Sequence, residues 1–281
     1  MPRFLVDSLP LATGELSLPD DVVRHLQVLR LRTDDSLTLF DGKGGEWSAR
    51  LVELGRRSAR VHVEAFQAVE RESPLLLSLA QGVSTGDRME FTLQKGVELG
   101  IAVFQPLVTE RAMLKLAGER AERKHERWND IVRAACEQCG RNRIPEIRPL
   151  MTLAAFLAQP RADDAARFIL SPAGERRLAD YPAPQAAWLL AGPEGGLSTQ
   201  EEAAAMAAGW EPLRLGPRVL RTETAALAAA AAIAQATPTS PWQPTSAPDT
   251  EAFVRTTFPN KPAVANARNI RESRNSRVSF K

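Results

Sequence analysis

Residues 188–201 have the sequence WLLAGPEGGLSTQE, in which an apolar strand runs into a glycine-rich loop and then into a helix. Ser198, followed three residues later by Glu201, forms the capping box expected at the start of that helix. Ligands of open α/β sheets bind just outside the carboxyl ends of the strands, and glycines there let a ligand approach the main chain. The stretch therefore predicts either a ligand-binding strand end or a tight turn without a ligand.

A second strand end of the same kind lies at residues 213–225, LRLGPRVLRTETA. Gly216 and Pro217 interrupt the strand, and Thr222 is suited to cap a helix that follows. Two such strand ends in successive strand–helix units predict two walls of one pocket. Arg218 and Arg221 belong either to this pocket or to ordinary surface ion pairs. Neither stretch has a GxGxxG or GK[ST] pattern, which disfavours a Rossmann dinucleotide site and a P-loop.

The chain as a whole predicts two domains and a tail. Residues 1–72 combine one helix, Asp20–Leu31, with short alternating strands, which is typical of a small β-barrel. The strands are predicted at Ser36–Phe40, Trp47–Leu54 and Ala59–Phe66. The apolar stripe of the helix is predicted at Val22, Val23, Leu26 and Leu29, with Val28 as an optional member. Residues 73–237 alternate continuous apolar strands with helices, which predicts a parallel sheet covered on both faces. Residues 238–281 lack an apolar period and predict a disordered tail.

The composition narrows the class of protein. The chain has 281 residues and a net charge of +2, but residues 238–281 carry 7 basic and 3 acidic side chains, so the rest of the chain is slightly acidic and any basic surface of the domains must be local. We find no apolar run long enough to span a membrane and no signal peptide. The two cysteines, Cys136 and Cys139, lie in a helical pattern without a second pair, which favours a cytoplasmic protein without a metal or redox site.

Several segments together resemble one family. They are His25–Arg30, Asp41–Glu46, Gln94–Ile101, Glu126–Trp128, Glu137–Arg141, Leu190–Ser198 and Leu215–Ala225. Through these segments, residues 1–237 are similar to the RsmE family of the SPOUT superfamily, methyltransferases that act on N3 of a uracil in 16S ribosomal RNA. The two cysteines and the tail depart from the family pattern.

The resemblance implies a fold and a cofactor. It implies an RNA-binding PUA-like barrel over residues 1–72 and a methyltransferase domain with a C-terminal trefoil knot over residues 73–237. It also implies a homodimer with each site near the subunit interface. The Ala-rich helix 223–236 would suit close packing there, and it would equally suit burial within one subunit. S-adenosylmethionine would be bound largely by backbone groups of Leu190, Gly192, Glu194, Gly195, Gly196, Leu215, Gly216, Leu220, Thr222 and Thr224.

The expected chemistry suggests catalytic and RNA-binding residues. Uracil N3 must lose its proton, so a cation that stabilises the resulting anion would help. Arg221 is the first candidate and Arg218 the second, while Glu223 is either a base or only a helix-starting residue. N3 lies on the pairing edge, so the base must be unpaired or flipped. Candidate phosphate contacts, each with an alternative as a solvated charge, are Arg24, His25, Arg30, Arg88, Arg141 and Arg143.

Other functions stay open from the sequence. One is a SPOUT methyltransferase that acts on a ribose 2′-OH or on transfer RNA. Another is a non-catalytic RNA-binding protein with a decayed site, which the glycines in both loops disfavour. A nucleotide-dependent oxidoreductase is disfavoured by the missing fingerprint.

Overall fold

The computed structural model describes residues 1–9, 13–113, 116, 118–160 and 164–236. The predicted tail, residues 238–281, lies outside the described residues. Within the described part, no helix combines the length and the apolar character needed to cross a bilayer.

The N-terminal residues form a five-stranded sheet with one helix, α1 (Asp20–Val28). The strand order is β1-β3-β4-β5-β2, with β1 parallel to β3 and the other pairs antiparallel. The strands are β1 (Arg3–Leu5), β2 (Gly14–Ser17), β3 (Ser36–Phe40), β4 (Glu46–Leu54) and β5 (Ala59–Gln67). The predicted strands β3, β4 and β5 are confirmed. Alternate residues of β5, such as Val61 and Val63, are fully buried, as expected for a half-buried strand.

The helix α1 is shorter than predicted. Its buried stripe is Val22, Val23 and Leu26, whereas Val28 is 69% exposed and Leu29 is exposed as well, so placing these two in the stripe was wrong. The reason is the helix end. The Arg30 N–H donates to the Gln27 carbonyl, and the Leu31 N–H donates to the Leu26 carbonyl. These bonds close the last turn before Leu29 can reach the core.

The second domain contains a seven-stranded sheet in which every pairing is parallel. The strand order is β12-β10-β11-β6-β7-β8, and β9 also pairs with β7. The strands are β6 (Leu76–Gly82), β7 (Ile101–Val108), β8 (Glu146–Ile147), β9 (Met151–Thr152), β10 (Ala166–Leu170), β11 (Ala186–Ala191) and β12 (Glu211–Leu213). The predicted parallel sheet is therefore confirmed.

Helices cover both faces of this sheet. They are α2 (Asp87–Glu98), α3 (Gly118–Cys139), α4 (Leu153–Leu157), α5 (Thr199–Ala207) and α6 (Thr222–Ala236). Neighbouring residues of β11 serve opposite faces: Leu189 packs in the cluster with α2, α3 and α6, whereas Leu190 packs with α4 and α5. This two-sided burial explains the continuous apolar runs in the sequence.

A glycine turn of the first domain docks on the loop that follows α3. The Gly44 N–H donates to the Asn142 carbonyl, and the Ile144 N–H donates to the Gly42 carbonyl, both at 3.0 Å. Gly42 has φ of 80°, and a Cβ there would lie 2.4 Å from Cδ1 of Ile144. The turn over Asp41–Gly45, predicted only as a connection between strands, is thus also an interdomain contact.

Candidate functional site

A cleft of about 470 Å³ opens beside the carboxyl ends of β10, β11 and β12. Its walls are the loops at residues 191–197 and 213–223, with residues 170–172 at one side. Both glycine-bearing strand ends therefore line one cleft, as the sequence predicts. A volume of this size falls within the range of roughly 300–1,000 Å³ that small-molecule sites occupy.

A buried glutamine joins the two walls. Nε2 of Gln81, at the end of β6, donates to the Gly192 carbonyl at 3.0 Å and to Oγ1 of Thr222 at 2.9 Å. The Thr222 hydroxyl in turn donates to the Gly192 carbonyl at 2.5 Å. Because these three hydrogen bonds connect the loop after β11 with the start of α6, the network fixes the separation of the two walls.

Close backbone approach explains two of the glycines. A Cβ on Gly82 would lie 2.6 Å from the Pro193 nitrogen, and a Cβ on Gly192 would lie 2.7 Å from the Gly196 carbonyl carbon. These are backbone atoms, which cannot move aside as a flexible side chain can. The loop after β11 therefore folds tightly on itself and on the end of β6.

Two other glycines give the cleft room for a ligand. Gly196 has φ of 68° and Gly216 has φ of 128°, and no atom lies within 4 Å of the Cβ that either lacks. Both line the cleft. Since they need a left-handed or related backbone conformation but not space, they present bare main chain to the cleft.

Glu194 is held in the loop as a carboxylate. Its Oε1 accepts hydrogen bonds from the Thr85 N–H and hydroxyl, both at 2.7 Å, and lies 3.4 Å from the Arg88 guanidinium. Burial opposes ionisation, but the Thr85 hydrogen bonds and the charge of Arg88 outweigh it and lower the pKa of Glu194. Glu194 therefore braces the loop against the turn after β6.

Arg111, which the sequence reasoning missed, braces the loop from another side. Its Nη1 donates to the carbonyls of Gly195 and Leu197, both at 3.2 Å. Gly195 is also tightly packed, because a Cβ there would lie 3.1 Å from Cβ of Arg111. Arg111 lines the cleft as well. Charge-assisted hydrogen bonds of this kind are stronger than neutral ones, so Arg111 helps to shape the cleft.

The three predicted catalytic side chains all line the cleft. Arg218 and Arg221 are exposed and have no ion-pair partner among the described residues. Glu223 is half-buried in the first turn of α6, and its Oε2 is buried without a hydrogen-bond partner in the described structure. A buried acceptor without a partner is costly, and a donor on a bound ligand would satisfy it.

Most of the residues predicted to bind the cofactor lie in the cleft wall. Those that line it are Gly192, Glu194, Gly195, Gly196, Leu215, Gly216, Leu220 and Thr222. Leu190 and Thr224 do not. The Leu190 side chain is fully buried in the core beneath the sheet, and Thr224 is exposed outside the lining.

The predicted RNA-contact residues are not brought together. Arg88 lines the cleft beside Glu194, whereas Arg24, His25 and Arg30 lie on or just after α1 of the first domain. His25 packs edge-on against Phe4, with Nδ1 3.8 Å from Glu137.

The prediction that Arg141 contacts RNA phosphate is wrong. Its guanidinium is buried, pairs with Glu72, and donates to the carbonyls of Val97 and Ile101. Its guanidinium makes four hydrogen bonds within the protein, so Arg141 holds the linker to α2 and β7 and is not free for phosphate. Arg143 also serves the domain contact, where it donates to the Lys43 carbonyl and pairs with Glu70, although it is half-exposed.

The cysteines Cys136 and Cys139 lie outside the lining of this cleft. Burial raises the pKa of the Cys136 thiol to about 12, so it is neutral at physiological pH and a poor nucleophile or metal ligand. Its thiol lies 3.7 Å from the Arg143 carbonyl.

Comparisons with known proteins agree on a family. A model of the RNA methyltransferase domain matches residues 71–234, and a model of the RNA methyltransferase PUA domain matches residues 18–64. Ribosomal RNA small subunit methyltransferase E of Synechocystis sp. is 32% identical over 237 residues, 82% of this chain and 76% of that protein. The protein of the same name from Buchnera aphidicola (Schizaphis graminum) is 30% identical over 235 residues, 83% of this chain and 95% of that protein.

Solved structures are similar over the same region. Ribosomal RNA small subunit methyltransferase E of Neisseria gonorrhoeae, bound to S-adenosyl methionine, is 42% identical with a TM-score of 0.78, covering 84% of this chain and 97% of that one. A Legionella pneumophila protein in complex with SAM is 39% identical with a TM-score of 0.79, covering 83% and 97%. The chain therefore belongs to the RNA methyltransferase family of the ribosomal RNA small subunit methyltransferases E, the RsmE family, within the SPOUT superfamily.

Proposed function

We propose that this protein transfers a methyl group from S-adenosylmethionine to N3 of a uridine in 16S ribosomal RNA. One observation carries the proposal: the glycine-bearing ends of β11 and β12 enclose a single cleft with three candidate catalytic side chains in its wall. The relative from Neisseria gonorrhoeae, similar over 84% of this chain, is bound to that cofactor.

The residues of the cleft fit S-adenosylmethionine. The volume suits a nucleoside-sized ligand, and the bare main chain at Gly196 and Gly216 can supply hydrogen bonds without steric obstruction. The orphaned Oε2 of Glu223 offers an acceptor for a polar group of a ligand. When bound, the cofactor supplies a methyl group on a positively charged sulfur. The chain's task is to align that group with its acceptor.

The two exposed arginines of the cleft lining, Arg218 and Arg221, act on the RNA base in this proposal. We assign Arg221 to stabilise the negative charge that uracil acquires when N3 loses its proton, with Arg218 in support. Both are exposed in the cleft lining, where an extruded base can reach them. Glu223 either accepts the N3 proton or orders the start of α6.

The finer architecture is proposed with the same function. We propose that the N-terminal sheet closes as a PUA-like barrel that helps to hold RNA, with the domain boundary near residues 72 and 73. We also propose that the chain segments around residues 192–196 and 215–224 form a trefoil knot. The hydrogen bonds that join Gln81, Gly192 and Thr222 across chain separations of up to 141 residues support close threading there. Single-molecule stretching of a knotted chain would yield a shorter extended length than the residue count predicts.

A homodimer in the cytoplasm is part of the proposal. On α2, Phe91 is 46% exposed, and on the contacting helix α6 the small residues Ala228 and Ala232 are exposed. Such a surface suits close helix packing between two subunits.

Mass mapping of ribosomal RNA tests the reaction. RNA from a strain that lacks the gene should have lost one methyl group on a uracil base, and the purified protein with S-adenosylmethionine should restore it. A methyl group on a ribose, or on transfer RNA, would support the other SPOUT activities instead. No change in RNA methylation would favour a non-catalytic RNA-binding protein.

A further inference from the structure

The arginines of the first domain fall into two groups. Four are ion-paired with glutamates: Arg3 and Arg71 with Glu46, Arg50 with Glu64, and Arg60 with Glu15 and Glu53. The other five have no carboxylate partner among residues 1–9 and 13–113 or elsewhere in the described chain. These five are Arg24, Arg30, Arg32, Arg56 and Arg57.

Four of these five, Arg30, Arg32, Arg56 and Arg57, here called the arginine corner, lie on connected segments. Nε2 of Gln27, near the end of α1, donates to the carbonyls of Gly55 and Arg56 at 2.8 and 3.1 Å, which joins the helix to the turn between β4 and β5. The residues after α1 are bonded to β4, the strand that leads into this turn, because the Asp34 N–H donates to the Leu51 carbonyl. The end of α1 with the residues that follow it, and the turn between β4 and β5, therefore present Arg30, Arg32, Arg56 and Arg57 at one end of the domain. Arg24 lies nearer the start of α1, where its Nε donates to the Asp20 carbonyl at 3.3 Å.

The charge of the arginine corner is not balanced locally. The carboxylates on these segments are Asp34 and Asp35, and Asp35 already accepts the Arg32 N–H at 2.6 Å. Asp20 and Asp21 lie at the opposite end of α1, in its first turn. The four guanidinium groups of the arginine corner thus share an end of the domain with two carboxylates, and the apolar side chain of Val28, two residues before Arg30, is 69% exposed.

One residue of the arginine corner, Arg30, has a strained backbone conformation. Arg30 has φ of 55°, the left-handed conformation that glycine usually supplies where a helix ends. A non-glycine residue there costs roughly 1 kcal/mol or more. Strained residues are common at functional sites. The chain has an arginine at this position although glycine would adopt the conformation at a lower cost in free energy.

We infer that the arginine corner is a docking surface for the phosphate backbone of RNA. It extends the candidate contact Arg30 to Arg32, Arg56 and Arg57, which the sequence did not single out. Unpaired, exposed guanidinium groups match phosphate, which they can bind through two hydrogen bonds each. The inference rests on the proposed function only in taking ribosomal RNA as the ligand.

The double variant Arg56→Gln/Arg57→Gln tests the surface. Its affinity for a 16S ribosomal RNA transcript, measured with the full chain over a series of salt concentrations, should fall about tenfold or more near 0.1 M salt. The slope of log affinity against log salt should become shallower by roughly 1.4 to 1.8, the value for two lost phosphate contacts. Methylation should show a raised KM for RNA with kcat unchanged, and affinity for S-adenosylhomocysteine should not change.

The matched control is Arg50→Gln/Arg60→Gln, which removes the same charge from ion-paired arginines of the same domain. It should leave the slope as in the parent protein. An unchanged slope in the test variant, or an equal change in the control, overturns the inference. Weaker binding only to assembled small subunits would indicate a ribosomal protein and would also overturn it. If the slope changes as expected but no cofactor binds, the surface stands and the proposed function fails.

Discussion

At the scale of single residues, some arginine side chains of the cleft have no ion-pair partner in the described structure, and another is hydrogen-bonded to the main chain. Arg218 and Arg221 line the mouth without a partner among the described residues, whereas Arg111 is bonded to two carbonyls of the loop after β11. The same residue type therefore serves two purposes in one cleft. The first kind can act on a substrate, and the second shapes the wall.

Arg221→Ala should separate chemistry from cofactor binding. We expect the methylation rate to fall by about 10²–10³-fold, the usual cost of removing one donor that stabilises an anion. Affinity for S-adenosylhomocysteine, measured by calorimetry, should change little. Arg218→Ala is the comparison, with a smaller loss. Full methylation by Arg221→Ala would show that the catalytic role is misassigned.

Arg111→Ala should weaken cofactor binding, in contrast to Arg221→Ala, which should lower the methylation rate. It removes two charge-assisted hydrogen bonds that hold Gly195 and Leu197, so the loop must be ordered by the cofactor itself. We expect the Kd for S-adenosylhomocysteine to rise about tenfold, which corresponds to about 1.4 kcal/mol. Arg127→Ala, which removes an exposed arginine paired with Glu90 on α2, is the control and should leave the Kd unchanged. An unchanged Kd for Arg111→Ala would contradict the bracing role.

Sequence reasoning located the glycines of the cleft but not the side chains that brace them. Gly192 and Gly216 are recognisable because each interrupts an apolar strand. Gln81, Thr85 and Arg111 reach the loop after β11 from chain distances of 84 to 111 residues, and no local pattern indicates such contacts. The available signal was their position, since each is a polar residue just at or after the carboxyl end of a buried strand.

At the scale of elements, strand β4 begins with a buried charge. Glu46 accepts hydrogen bonds from Arg3 of β1 and from Arg71 in the linker to the second domain, at 2.7 to 2.9 Å. Burial alone would raise the pKa of Glu46, but the two arginines outweigh it and hold the pKa below its ordinary value. One carboxylate thus fastens the first strand and the linker to the sheet.

Protonation of Glu46 at low pH should break its ion pairs with Arg3 and Arg71. Because the pKa of Glu46 is lowered on folding, its contribution to stability is complete above the ordinary glutamate pKa and is lost as the pH falls through the lower folded value. Glu46→Gln should lower the free energy of unfolding at pH 7 by about 1–3 kcal/mol. It should also weaken the dependence of stability on pH below about 4.5, as followed by urea unfolding. An identical pH dependence in the two proteins would contradict this role.

Long elements were predictable, and short ones were not. The strands β6, β7 and β11 are continuous apolar runs, which only a sheet buried on both faces explains. The strands β1, β2, β8 and β9 have two to four residues each, and their pairing depends on distant partners. The same limit applies to the turn at Asp41–Gly45, whose glycines are needed for the contact with Ile144 as well as for the turn itself.

At the scale of the whole molecule, apolar surface on α2 and α6 agrees with the proposed homodimer. Phe91→Asp places a charge on that surface, where burial without a partner is costly. We expect the variant to elute as a monomer in light-scattering chromatography at micromolar concentration and to lose methylation. Met206→Asp, an equally exposed residue on α5, is the control and should leave the mass unchanged. A Phe91→Asp protein with the parent mass would exclude this face as the interface.

The most direct test of the account is calorimetric titration of the purified protein with S-adenosylhomocysteine, alongside NAD and ATP. We expect one saturable site per chain for S-adenosylhomocysteine and no site for NAD or ATP. We also expect loss of binding in Gly192→Val, whose Cβ would lie 2.7 Å from main-chain atoms of Gly196 and Leu197 and would distort the loop. No measurable heat from S-adenosylhomocysteine, or equal binding of NAD, would contradict it.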